Sequence, residues 1–290
     1  MSRIVLAASA TLLAAACATI PAKAPSEGGA GDLSEATMKD VTRTLSLDEF
    51  EGRAPGTVGE EKSLAYIVDR FARAGLQPGN HGSWFQDVPL VEITANNIAP
   101  LTVSAGGQSQ TFADGSDWVG VSYREIPRVV LDASEVVFVG YGIVAPEKGW
   151  NDYAGIDMHG KTALILVNDP DYQNPSLEGP FNGRAMTYYG RWTYKFEEAA
   201  RQGAAAALIV HDSVPAAYGW ATVESSWSGP QAYARRADGG ASQTLLNGWL
   251  QKPVAEAIVR ASGRDLAELS AAAARPGFKP IPLAAKVSTG

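Results

Sequence analysis

The alternation of apolar and polar positions divides the chain into a helical opening and a long strand-rich stretch. An apolar run over residues 4–16 comes first and is too short to span a bilayer as a mature helix. Residues 34–45 read as a short helix with Met38, Val41, Thr42 and Leu45 on one face. The clearest helix follows a loop at Glu51-Gly52-Arg53-Ala54-Pro55-Gly56. Thr57 and Glu60 form a capping box there, and Leu64, Ile67, Val68 and Phe71 recur at helical spacing. Gly75 stands where a left-handed C-cap belongs, and Pro78 prevents continuation.

Runs rich in β-branched residues then predict strands over residues 85–94, 101–104, 129–131, 135–144 and 162–168. A helix is expected over 192–202, ended by Gly203, with Phe196, Ala199 and Ala200 facing a sheet. A strand is expected over 206–211, helices over 241–250 and 264–274, and a last strand over 281–287. No internal repeat is visible.

Composition adds little to this picture except in its turns. Thirty glycines and seventeen prolines among 290 residues favour many turns, and a 46% hydrophobic content provides a core. The net charge of −7 gives no basic face for nucleic acid. At the N-terminus, Arg3 precedes the apolar run, which ends in Leu13-Ala14-Ala15-Ala16-Cys17. Cys17 is the sole cysteine and stands where a lipidated first residue would be, although Ala14 occupies the place that a lipobox usually gives to leucine. An ordinary signal-peptide cut at Ala16-Cys17-Ala18 or Ala22-Lys23-Ala24 is the alternative. Lipidation at Cys17 is the expectation. It implies an exported protein anchored by lipid alone, on the periplasmic side of the outer membrane or at the cell surface, and Ala18 suits outer-membrane sorting. Loss of Arg3 with residues 1–16 would take the net charge to about −8. Residues 21–31 read as a polar tether.

Most chemical motifs fail on context. Gly155-Ile156-Asp157-Met158-His159-Gly160-Lys161-Thr162 matches a phosphate loop, yet a strand rather than a helix follows it. Gly140-Tyr141-Gly142-Ile143-Val144-Ala145 resembles a dinucleotide fingerprint, but Pro146, Gly149 and Trp150 leave no room for the helix. No Gly-x-Ser-x-Gly elbow occurs. His81, His159 and His211 stand in no metal-ligand spacing. Glu60-Glu61 and Glu197-Glu198 read as acidic residues near helix starts. Asp169 and Asp171, flanking Pro170, read as a solvated turn rather than a calcium site.

Family resemblance supplies what these tests do not. Leu47-Asp48-Glu49-Phe50-Glu51-Gly52-Arg53-Ala54-Pro55-Gly56-Thr57-Val58-Gly59-Glu60-Glu61, with Gly75-Leu76-Gln77-Pro78 and Phe85-Gln86-Asp87-Val88-Pro89-Leu90, resembles the opening of bacterial co-catalytic zinc aminopeptidases, which group with leucyl aminopeptidases and glutamate carboxypeptidases. Val139 to Ile143, Asn151-Asp152-Tyr153, Gly160 to Leu166 and Lys195 to Ala204 resemble the protease-associated domain inserted in many of those enzymes. Tyr188 to Tyr194 and Gly219-Trp220 look like the same group.

The resemblance implies an α+β fold: an N-terminal helical segment and a protease-associated domain, built as a β-sandwich or open barrel with flanking helices. It implies a signal peptide at 1–16, a tether at 17–31, a peptidase-domain segment at 32–95 and the accessory region at 96–287. Zinc is implied for the complete family enzyme, held by a core that would follow the accessory domain and carry a His-x-Asp strand end and a Glu-Glu base-ligand pair. No catalytic or metal-binding residue carries over, so an incomplete and inactive aminopeptidase is expected. The helix after Thr57 would belong to the missing core, leaving its apolar face exposed for that core or another protein. A stand-alone peptide-binding or interaction module is the alternative. Tyr188, Tyr189, Arg191, Trp192 and Trp220, together with Trp227, are its candidate contacts, with ordinary packing as their other reading.

Overall fold

A computed structural model describes residues 34–290, so the export segment, Cys17 and the tether lie outside the described residues. Among the described residues no helix is long and apolar enough to cross a membrane. The chain divides into two compact units at Trp84/Phe85.

The first unit holds α1 (Glu35–Leu45) and α2 (Val58–Arg73), joined through a 3₁₀ turn at Asp48–Arg53. Ser34 caps α1 by accepting Thr37 N–H at 3.2 Å. Thr57 caps α2 by accepting Glu60 N–H, and the Glu60 carboxylate reaches back to Gly56 N–H at 2.6 Å. That closes the box expected from Thr57 and Glu60. Gly59 fits against the Phe50 backbone so closely that a Cβ there would collide with the Phe50 carbonyl. Phe50 is the buried hydrophobic residue of this unit and meets Tyr66 edge-on at 6.4 Å. The apolar stripe of α2 is partly covered: Ile67 and Val68 are half-buried, while Leu64 is 39% exposed and Phe71, which meets Trp84 at 6.3 Å, is 46% exposed.

The second unit begins with β1 (Leu90–Ile93), β2 (Leu101–Ala105), β3 (Gln108–Phe112), β4 (Trp118–Val121) and β5 (Leu131–Phe138). The short pair β6 (Val144–Ala145) and β7 (Trp150–Asn151) leads to β8 (Thr162–Leu166), α3 (Trp192–Arg201) and β9 (Ala206–His211). Then come α4 (Ser213–Ala216), α5 (Trp220–Ser226), β10 (Gln231–Ala234) and β11 (Leu246–Gln251). The chain ends with α6 (Lys252–Ala261), α7 (Leu266–Ala273) and β12 (Ile281–Thr289).

Eight of these strands form one sheet in the order β3-β2-β12-β5-β8-β9-β11-β4. Its centre, β5 to β11, is parallel, and the remaining strands pair antiparallel. Parallel strands need both faces covered, and the strands alternate accordingly. Leu164, Leu208 and Leu250 face Val254, Ile258 and Leu269 of α6 and α7. Ile165, Ile209 and Trp249 lie with Phe196 and Ala199 of α3. The unit is therefore mixed α+β, with a single large sheet flanked by helices rather than a two-sheet sandwich.

Several elements differ from expectation: the strand expected over 135–144 ends at Phe138, and that over 85–94 is reduced to Leu90–Ile93. The helix expected over 241–250 is absent: the segment from Leu246 is β11, paired along its length with β9. Gly248 marks why, since a Cβ there would lie 2.7 Å from Val119 O and 2.9 Å from Leu208 Cδ2. The close strand approach that Gly248 permits is invisible to helical periodicity. A further difference is α6, which starts immediately after. Pro253, a breaker elsewhere, sits in its first turn, where no intrahelical N–H is needed. Finally, Leu90–Ile93, grouped by the sequence with the first segment, pairs here with β10.

Replacing Gly248 by alanine is expected to cost about 1–3 kcal/mol through overpacking. Denaturant unfolding followed by tryptophan fluorescence measures it, and an unchanged midpoint would contradict the packing described.

Candidate functional site

The second unit is organised around a buried ammonium. Lys195 lies on α3 beside Phe196 and Ala199, wholly out of solvent. Its Nζ donates to Tyr141 O at 2.6 Å and to Asn168 O at 3.1 Å. Asp152 and Asp169 supply the compensating charge. Asp152 accepts Ile143 N–H at 3.0 Å and Trp150 Nε1–H at 2.7 Å. Asp169 accepts the Thr187 N–H at 2.6 Å and its hydroxyl at 2.9 Å. Burial pulls the Lys195 pKa down and pushes the Asp152 and Asp169 carboxyls up, each against the attraction of its partners. Asp169 is thus buried, not part of a solvated turn as its flanking proline suggested. Asp171 also works inward, accepting Phe181 N–H at 3.0 Å. Glu198 is buried too and binds Arg201 at 2.8 Å and Gln202 at 2.8 Å.

This anchoring fixes the first turn of α3, and with it Trp192. Beside Trp192 opens a cleft of about 380 Å³. One wall is α3, through Trp192, Phe196 and Glu197; the other is the ribbon of β1 and β10, where Val91 stands opposite Tyr233. Tyr123, just past β4, closes the end by meeting Tyr233 edge-on at 4.7 Å. Arg235 grips Glu125 through Nη2 at 2.9 Å and Nε at 3.3 Å, and Arg236 completes the lining. Arg124 Nε donates to Gln243 O at 2.9 Å, tying the strand end to the loop before β11.

The candidate residues read from the sequence are dispersed among three settings. Tyr188 is exposed and donates to Glu197 Oε2 at 3.0 Å. Tyr189 donates to Glu147 at 2.8 Å and packs against Phe181 and Tyr194. Arg191 is the exposed residue that precedes α3. Trp192 alone of the five lines the cleft, with its ring 5.8 Å from Trp227. Trp220 donates to Gly115 O at 2.8 Å and packs on His211. Sequence reasoning missed Tyr123, Tyr233, Glu125, Arg235 and Arg236. The adjacent Arg235-Arg236 after an alternating Gln231-Ala232-Tyr233-Ala234 was the available signal.

Chemically, the cleft offers aromatic faces, hydroxyl donors and a paired guanidinium. Burial pushes Tyr233 up to about 12 and Tyr123 higher still, so both phenols remain protonated donors. No nucleophile stands beside a base there. The zinc implied by resemblance does not fit the residues described: no group of three or more His, Cys, Asp or Glu is placed to hold a metal ion among them. His159 is bound to Asp157 at the surface, and His211 Nε2 meets Tyr218 O at 3.0 Å in a site whose burial lowers its pKa.

No family model matches the sequence, and no curated protein does. Among solved structures the chain is similar to the aminopeptidase from Aneurinibacillus sp. strain AM-1, at 21% identity and a TM-score of 0.35, over 88% of this chain and 45% of that one. It is also similar to a zinc aminopeptidase from Bacillus subtilis, at 16% identity and a TM-score of 0.28, over 87% of this chain and 43% of that one. The chain spans less than half the length of either.

Replacing Lys195 by methionine leaves buried carboxylates without their cation and is expected to cost about 3–5 kcal/mol. Adding Asp169→Asn should recover part of that loss in equilibrium unfolding; strictly additive losses would argue against the pairing.

Proposed function

We propose that this chain is the non-catalytic portion of an exported zinc-dependent aminopeptidase, and that its second unit is a protease-associated accessory domain that binds extended peptide. The observation that carries the binding role is the cleft of Trp192, Phe196, Tyr123 and Tyr233. Aromatic walls with few rotatable bonds and a nearby guanidinium are what peptide recognition uses. The β1–β10 ribbon forms one wall, and a two-stranded ribbon offers backbone groups to which an extended chain can add as a further strand.

The aminopeptidase assignment rests on the resemblance of residues 47–61 and of the segments from Val139 to Ala204. The exposure of Leu64 and Phe71 on the apolar stripe of α2 supports it, because an amphipathic helix ordinarily buries that face against a partner. In this reading the partner is the peptidase core. That core would carry the zinc ligands and the catalytic base, and the chain itself would contribute no reacting group. Export through the leading apolar segment, with lipid attachment at Cys17, belongs to the same proposal.

The purified chain should bind no stoichiometric zinc and release no nitroaniline from aminoacyl nitroanilides. A heptapeptide with a central phenylalanine should change its tryptophan fluorescence saturably, and Trp192→Ala should weaken that response about tenfold or more. One or two tightly held zinc ions, or turnover, would contradict the non-catalytic reading. A flat peptide titration would contradict the binding role.

A further inference from the structure

A second hollow, of about 440 Å³, lies beyond the carboxyl ends of β8 and β9. It is lined by Leu166 and Val210 of those strands, by Lys252 and Glu256 of α6, and by Leu266 and Ser270 of α7. The cleft described above draws on α3, which packs against the opposite face of the sheet, so the two hollows are distinct. The end of parallel strands, where side chains diverge and loops close over, is a common place for small ligands.

Its charged groups, Asp212, Lys252 and Glu256, differ in sign, and Tyr141, Tyr172, Gln173 and Ser270 add neutral polar groups. Lys252 Nζ pairs with Asp212 at 2.7 Å, leaving other ammonium protons free to donate. Glu256, one helical turn further along α6, makes no hydrogen bond or ion pair among the described residues and is half-buried. Tyr141 reaches the hollow from the glycine-rich turn after β5 and is only 4% exposed. Its hydroxyl makes no hydrogen bond among the described residues, and burial with nearby carboxylates raises its pKa, keeping the proton on oxygen. The remaining surface is mostly apolar.

We infer that this hollow binds a small zwitterion with an apolar tail, of the chemical class of a free aliphatic α-amino acid. Residues four apart on a helix present side chains about 5–6 Å apart. Lys252 and Glu256 thus hold a cation and an anion at a spacing that neighbouring ligand carboxylate and ammonium groups can bridge. A simple anion would meet Asp212 and Glu256 unfavourably, and a simple cation would meet Lys252. A purely apolar ligand would strip water from Glu256 without return. An α-amino acid satisfies all three: carboxylate to Lys252, ammonium to Glu256, and aliphatic chain against Leu166, Val210 and Leu266. Tyr141 lines the same hollow. This inference stands independently of the peptide cleft, and Trp192→Ala should leave it untouched.

Isothermal titration of the full chain with L-leucine tests it, with isoamylamine and 4-methylvalerate as half-ligands. Saturable leucine binding is expected, with each half-ligand weaker by about tenfold or more. Glu256→Gln, an isosteric change at a half-buried position, should weaken leucine binding about tenfold, and Lys252→Met likewise. Thermal melting of each variant separates lost binding from lost folding. Absence of saturation at millimolar leucine, equal binding of either half-ligand, or full leucine affinity in folded Glu256→Gln would each overturn the proposal.

Discussion

The buried ammonium of Lys195 is the constraint on which the second unit depends. An isolated charge out of water is costly, and here it is retained because two backbone carbonyls and two carboxylates converge on it. Those partners come from three separated loops: the turn after β5, the segment after β8, and the β6–β7 region. One side chain on α3 therefore sets the course of the long connection between β8 and α3, for which hydrophobic packing provides no repeating pattern. Asp169, by holding Thr187, carries the same restraint to the start of Tyr188 and Tyr189. The polar knot thus positions the first turn of α3 and the aromatic residue that opens the cleft.

Around this knot the parallel strands separate two kinds of surface. On the α3 side, aromatic rings run in contact from Trp192 through Trp227 and Trp249 to His211 and Trp220. That chain of edge-on contacts gives the cleft a rigid apolar wall. On the α6 and α7 side Leu208, Val254 and Ile258 pack in one cluster with Phe138 and Phe278, and Lys252 and Glu256 line the hollow beyond the strand ends. An aromatic cleft walled by a two-stranded ribbon suits an extended chain, whereas a hollow that sets one cation and two carboxylates beside aliphatic side chains suits a small charged molecule. The first unit contributes neither. Its distinguishing property is an amphipathic helix whose apolar face leaves Leu64 and Phe71 exposed.

Local signals were legible where local forces decide. The Thr57 and Glu60 pair announces α2, and the β-branched run ending in His211 announces β9. The helix expected over 241–250 failed because what decides there depends on neighbours: Gly248 admits a strand from across the sheet, and Pro253 occupies the start of α6. Lys195, within Lys195-Phe196-Glu197-Glu198, has the composition of a solvated helix face, and nothing in its spacing reveals burial. The cleft was the least legible feature. Tyr123, Trp192 and Tyr233 are distant in the chain, and it is the β1–β10 pairing that makes them neighbours. Of the five candidate contacts named beforehand, only Trp192 lies there.

Hydrogen–deuterium exchange of the chain, with and without a saturating extended peptide, tests the central claim most directly. The account predicts slowed exchange confined to β1, β10 and the first turn of α3, with the strands of the central sheet unchanged. Protection elsewhere, or none in the β1–β10 ribbon, would contradict the assignment of this cleft as the peptide site.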